Sequence, residues 1–176
     1  MKILLSSLSL IVFMCMASLG HADTKVYFSP AGGCQEAVIA ELGKAKASID
    51  VAMFSFTSRE IAQALLKAKD RGVKIRISLD KAQIKEKFSK SRYLSKKGVN
   101  VKFHMGIGIM HDKFAVIDDK IVLSGSFNWT VSAEKKNAEN LLVITDKKIA
   151  EKYKEQFKLL WSHSGEGGFK EEQADS

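Results

Sequence analysis

The chain has 176 residues, 28 Lys and Arg against 20 Asp and Glu, and a formal net charge of +8. That length holds one domain and little more. A hydrophobic content of 45% excludes a disordered chain, two cysteines exclude a disulfide scaffold, and the basic balance favours polyanionic partners, nucleic acid or an anionic membrane face, over acidic ones.

The first 22 residues read as a secretory signal peptide. Lys2 supplies the positive start, residues 3–19 are almost wholly apolar or small, and Gly20-His21-Ala22 forms a small-residue cleavage site. The other reading is an uncleaved anchor, since the apolar run is just long enough to span a bilayer. Cleavage leaves 27 basic and 20 acidic residues, a charge of +7, and places the protein in the periplasm or outside the cell. Cys15 leaves with the signal. Cys34 then has no internal partner and is expected to be buried, with an intermolecular disulfide as the alternative.

The mature domain is expected over residues 23–163. Val26 to Phe28 is a short β-prone run closed by Pro30 and Gly32-Gly33, and Gln35 to Lys46 reads as a helix with Val38, Leu42 and Ala45 on one face. A strand follows from Ser48 to Phe56. Thr57 and Glu60 have the form of a capping box for a helix whose stripe is Ile61, Ala62, Leu65, Leu66 and Ala68, with Gly72 as its stop. Val73 to Leu79 is the next strand. Strands alternating with helices predict βαβ units, hence an α/β fold with a mixed, mainly parallel sheet and helices on both faces.

Residues 80–97 carry Lys81, Lys85, Lys87, Lys90, Arg92, Lys96 and Lys97, interleaved with Phe88 and Tyr93. The segment is either a solvated helix or loop, or a basic arm for a phosphate backbone with aromatics that stack on bases. Val99 to Phe103 reads as a strand and Met105 to Met110 as an apolar, glycine-containing loop. Lys113 to Ile117 and Ile121 to Ser124 form a hairpin around Asp118-Asp119-Lys120, and Asn140 to Ile144 is a last strand. Asp146 caps a final helix with Ile149, Tyr153, Phe157, Leu160 and Trp161 inward. Residues 164–176 read as a flexible tail.

In a strand from 111 to 117, His111 and Lys113 share a face while Phe114 and Val116 take the other; Ser126 and Asn128 share a face in the same way. A hairpin between these segments gathers an imidazole, a fixed cation, a hydroxyl and an amide. That set suits a phosphate whose charge grows in a transition state.

His111, Lys113, Asp118, Gly125, Ser126 and Asn128 stand at the spacing of the phospholipase D superfamily motif, and the chain resembles that family over residues 25–162. Ser124 to Thr130 and Glu139-Asn140 resemble its small nuclease branch. The resemblance implies a phosphodiesterase without metal or other cofactor. A histidine attacks phosphorus to form a phosphohistidine, and a second histidine protonates the leaving oxygen. One motif supplies one histidine, so a homodimer is implied, with Lys113, Ser126 and Asn128 binding phosphate. Asp118 belongs to the motif's catalytic set, although strand alternation gives it a mainly structural place at the turn. Glu139 resembles the acid that hydrogen-bonds the histidine's other nitrogen.

The function implied is a non-specific endonuclease cutting DNA, with RNA as a second substrate. The candidate nucleic-acid contacts are Lys81, Lys85, Lys87, Lys90 and Arg92. A phospholipase acting on membrane lipids is the alternative, strengthened by the loop before His111 and by membrane association if the N-terminal segment is retained. A DNA-binding uptake protein is a third. His104 offers a metal pair with Asp112 or Asp118 but no third ligand at suitable spacing. His163 and Lys102 read as surface, and Trp129 as either core or a stacking residue.

Overall fold

The computed structural model describes residues 22–166; residues 1–21, nearly all of the segment expected to be a signal peptide, and residues 167–176 of the expected tail lie outside them. The elements are β1 (Asp23–Ser29), α1 (Cys34–Lys44), β2 (Ser48–Met53), α2 (Arg59–Asp70), β3 (Lys74–Asp80), α3 (Ser91–Lys96), β4 (Asn100–His104), β5 (Lys113–Ile117), β6 (Ile121–Gly125), α4 (Val131–Lys135), β7 (Glu139–Thr145), α5 (Lys147–Ser162) and β8 (Ser164–Gly165). One sheet holds all eight strands in the order β1-β7-β6-β5-β2-β3-β4-β8.

The sheet is mixed, but not mainly parallel. Parallel pairing is confined to β2–β3 and β3–β4; the other five pairs are antiparallel. Helical crossovers α2 and α3 force the parallel pairs, and the tight β5–β6 hairpin turns the chain back. β1 lies apart from β2, at the far edge against β7. The last two residues of the sheet correct the tail boundary: Ser164 and Gly165 pair with His104 and Phe103.

β2 and β5 sit centrally and are buried on both sides, as their near-continuous apolar runs require. One core layer lies under α1 and α2, with Val38, Leu42, Ile61, Leu65, Phe56 and Trp129; the other lies under α5, with Phe114, Val116, Val122, Phe157 and Leu160. Trp129 is therefore core. Cys34 is fully buried and free, and burial followed by the nearby Glu134 charge pushes its thiol up to about 11. Ile149 is exposed, because the buried face of α5 begins at the next residue, Ala150, and continues through Phe157 and Leu160.

Helix ends follow local chemistry. Asp146 accepts from the N–H groups of Lys148 and Ile149, as expected. The cap of α2 is Ser58 rather than Thr57: its hydroxyl accepts from Ile61 N, while Thr57 N donates to Trp129 O. Gly72 ends that helix at φ 90°.

Asp118 fastens the hairpin to the α1–β2 connection. Its carboxylate accepts from the backbone N–H of Ala47 (2.7 Å), Lys46 (2.8 Å) and Ser48 (2.9 Å). Partial burial pushes this carboxyl up, but the three donors outweigh it and hold the pKa below its ordinary value. Its φ of 51° is one that Asn also tolerates. Asp118→Asn should therefore cost about 2 kcal/mol of stability at neutral pH, by loss of charge-assisted bonds. A depressed folded pKa gives a contribution that is present above the unfolded value and lost as pH falls through the folded one. The gap between wild type and variant in denaturant melts should close below about pH 4.

Candidate active site

His111, Lys113, Ser126 and Asn128, the residues expected to face phosphate, gather at one end of the sheet. The register sets Lys113 beside Met53, Ser124 beside Phe114, Gly125 beside Leu141 and Glu139 beside Ser29. β5 therefore begins, β6 ends and β7 begins at the same edge. An open cavity of about 410 Å³ lies there, lined by His111, Lys113, Gly125, Ser126, Asn128 and Glu139.

His111 precedes β5 rather than lying in it, and its two neighbours hold it in place. Met110 is buried in the layer under α5, and its N–H donates to Asp80 Oδ2 at 2.8 Å. On the other side, Phe54 N donates to Asp112 O (3.0 Å) and Gln156 Nε2 to Asp112 Oδ2 (3.2 Å). The exposed imidazole meets the edge of Phe54, with ring centroids 4.6 Å apart. Asp80 is 1% exposed, and its other oxygen accepts from Ala82 N. Sequence reasoning missed Asp80. Its only sequence signal is a carboxylate closing an apolar strand, where burial demands partners.

Lys113 donates to His111 O at 2.7 Å and lies 5.1 Å from the Phe54 ring centroid. Gly125 is required by geometry: with φ 151°, a Cβ there would stand 2.2 Å from Asn140 O. This close approach lets Ser126 N donate to Asn140 O (3.1 Å) and Ser126 Oγ accept from Asn140 N (3.0 Å). Among the described residues the Ser126 hydroxyl proton has no acceptor, which leaves it for an incoming one. Ser126 is exposed, Phe127 buried, Asn128 half-buried and Trp129 buried, the alternation expected for a shared face. Asn128 Oδ1 is buried with no partner among the described residues.

Two expected roles are not met in this geometry. Asp118 is outside the cavity, at the opposite end of β5, roughly 15 Å of strand away, and serves the hairpin. Among the described residues, Glu139 Oε1 takes its hydrogen bond from Asn137 Nδ2 (3.0 Å), not from the His111 ring. Glu139 still lines the cavity, and its charge acts on Lys113.

The basic segment borders this end. Residues 81–84 form one 3-10 turn after Asp80, Lys90 N donates to Phe56 O, and Lys81 Nζ donates to Gly106 O. Lys81, Lys85, Lys87 and Arg92 are exposed and Lys90 half-buried. No group of three or more His, Cys, Asp or Glu among the described residues could hold a metal ion.

A family model described as a cardiolipin synthase, phospholipase D-like domain matches residues 38–161. A protein named phospholipase D from Rickettsia prowazekii is 39% identical over 141 residues, 80% of this chain and 69% of the relative. The chain belongs to the phospholipase D family. A mitochondrial cardiolipin hydrolase from Xenopus tropicalis is 37% identical over 118 residues, 67% of this chain and 56% of that one. The solved structure of Nuc from Salmonella typhimurium, described as a phospholipase D family member, superposes with a TM-score of 0.80. It is 33% identical and covers 82% of this chain and 97% of its own. Its fold and the present mixed sheet with flanking helices agree. As a phospholipase D family member, the chain is a phosphodiesterase.

Proposed function

We propose that the chain is a secreted or periplasmic, metal-independent endonuclease. It hydrolyses DNA, and RNA as a second substrate, in a site shared by two copies. The observation that carries this reading is the convergence of His111, Lys113, Ser126, Asn128 and Glu139 in one open cavity, bordered by an exposed run of lysines. An open site admits a polymer threading through it, and the lysines meet its phosphates without reading bases.

A ring nitrogen of His111 attacks phosphorus, forming an N–P bond as the P–O bond breaks. His111 of the partner subunit gives its proton to the leaving oxygen. It then takes a proton from water, whose oxygen attacks phosphorus and releases His111. Lys113 and the Asn128 amide hold the non-bridging oxygens, and Ser126 donates its free hydroxyl proton. Burial pushes the Lys113 pKa down, and the Glu139 charge opposes that push. Asp118 acts through the fold alone.

A second reading, hydrolysis of a phospholipid headgroup, is favoured by the names of the relatives, phospholipase D and cardiolipin hydrolase. The two are separated by offering the protein linear DNA and phospholipid vesicles at equal phosphodiester concentration. DNA turnover at least about tenfold above lipid turnover is expected, since the lysines add affinity for a polyanion. Faster lipid turnover would sink the nuclease reading. DNA binding without cleavage would favour an uptake protein.

A further inference from the structure

Phosphoryl transfer gives no task to residues 105–109, the tip of the β4–β5 loop ahead of His111. Met105, Ile107 and Ile109 alternate along it with Gly106 and Gly108. Ile107 is wholly exposed, Ile109 is 64% exposed and Met105 56%. One exposed aliphatic residue is ordinary; three on one tip make a patch. The loop is also held out by its anchors. Met105 N donates to His163 O (2.9 Å), Lys81 Nζ to Gly106 O (3.3 Å), and Met110 N to the buried Asp80.

The Lys81 contact joins this tip to the basic segment. Lys85, Lys87, Arg92, Lys96 and Lys97 are exposed there, opposed only by Glu86 between residues 81 and 97, and Phe88 is 65% exposed. An apolar tip beside a run of cations is complementary to an anionic bilayer: aliphatic side chains enter below the headgroups while ammonium groups meet the phosphates. Nucleic acid would satisfy the lysines but not the aliphatic tip, which offers neither a stacking face nor a hydrogen bond. A second copy docking symmetrically through the same surface would set two lysine runs against each other.

We propose that residues 105–109 and the adjoining basic segment form a docking surface for an anionic lipid bilayer, holding the His111 cavity at the membrane face. The surface shares its lysines with the proposed nucleic-acid contact, and the aliphatic tip is what distinguishes the bilayer.

Tryptophan at the tip reports insertion directly, whatever the N-terminal segment does. The full chain carrying I107W is mixed with phosphatidylcholine vesicles, with or without phosphatidylglycerol, using brominated lipids as quencher. The tip tryptophan should shift to the blue and be quenched in the anionic vesicles only, relative to the unsubstituted chain. In parallel, I107S/I109S should lower the enhancement of binding that phosphatidylglycerol gives by at least about tenfold. Hydrolysis of bis(p-nitrophenyl) phosphate should stay unchanged. No shift, an equal shift with neutral vesicles, a shift produced by DNA, or one that follows protein concentration without lipid would each overturn the proposal. The last of these would assign the loop to a subunit contact.

Discussion

His111→Asn should lower turnover of DNA by about 10⁴-fold or more while leaving the thermal midpoint close to that of wild type. Asparagine keeps a polar side chain of similar reach but cannot form and release a phosphoramidate, so the covalent step is removed rather than slowed. Stability should hold because the imidazole is exposed and the backbone on either side is fixed by Met110 and Asp112. The same variant reads the assembly. When excess His111→Asn chains exchange with wild type, nearly every active chain is paired with an inactive one, and cleavage should fall accordingly. Undiminished cleavage after exchange would mean that each chain holds a whole site.

Lys113→Ala should cost about 10²- to 10³-fold in kcat with a smaller effect on KM, because its ammonium meets charge that grows in the transition state. Partial burial pushes the Lys113 pKa down, and the carboxylates of Glu139 and Asp112 only partly restore it. The cation is therefore lost at a lower pH than in an ordinary lysine, which titrates near 10.4. Activity should decline on an alkaline limb below that value. Lys113→Arg, with a guanidinium that stays protonated, should keep part of the rate and lose the limb. Near-normal turnover in the alanine variant would remove Lys113 from the site.

Much of this site was legible because its signals are local. The two-residue offsets of His111 with Lys113 and of Ser126 with Asn128 project each pair to one side. Gly125 marks the crowded strand end that joins the halves. The βαβ unit from β2 to β4 was readable for the same reason: periodicity and caps belong to short segments. Long-range pairing was not readable. Nothing in Asp23–Ser29 says that it will find β7 at the far edge instead of β2, and Ser164–Gly165 becomes a strand only because β4 leaves an open edge. Alternation placed Asp118 correctly at the turn, while the motif drew it into the catalytic set; its three backbone donors come from a connection 70 to 72 residues away. Asp80 was invisible for a similar reason, since its work on Met110 crosses 30 residues of sequence. Thr57 and Ser58 are equally good caps in isolation; both backbone N–H groups donate to Trp129 O, and it is the Ser58 hydroxyl that reaches Ile61 N.

The most direct test of histidine-centred, metal-independent cleavage is incubation of the protein with supercoiled plasmid in excess EDTA. Nicked and then linear DNA should accumulate at the rate seen without chelator. Cleavage that stops in EDTA and returns with a divalent cation would contradict the phosphohistidine route and give the phosphate chemistry to a metal.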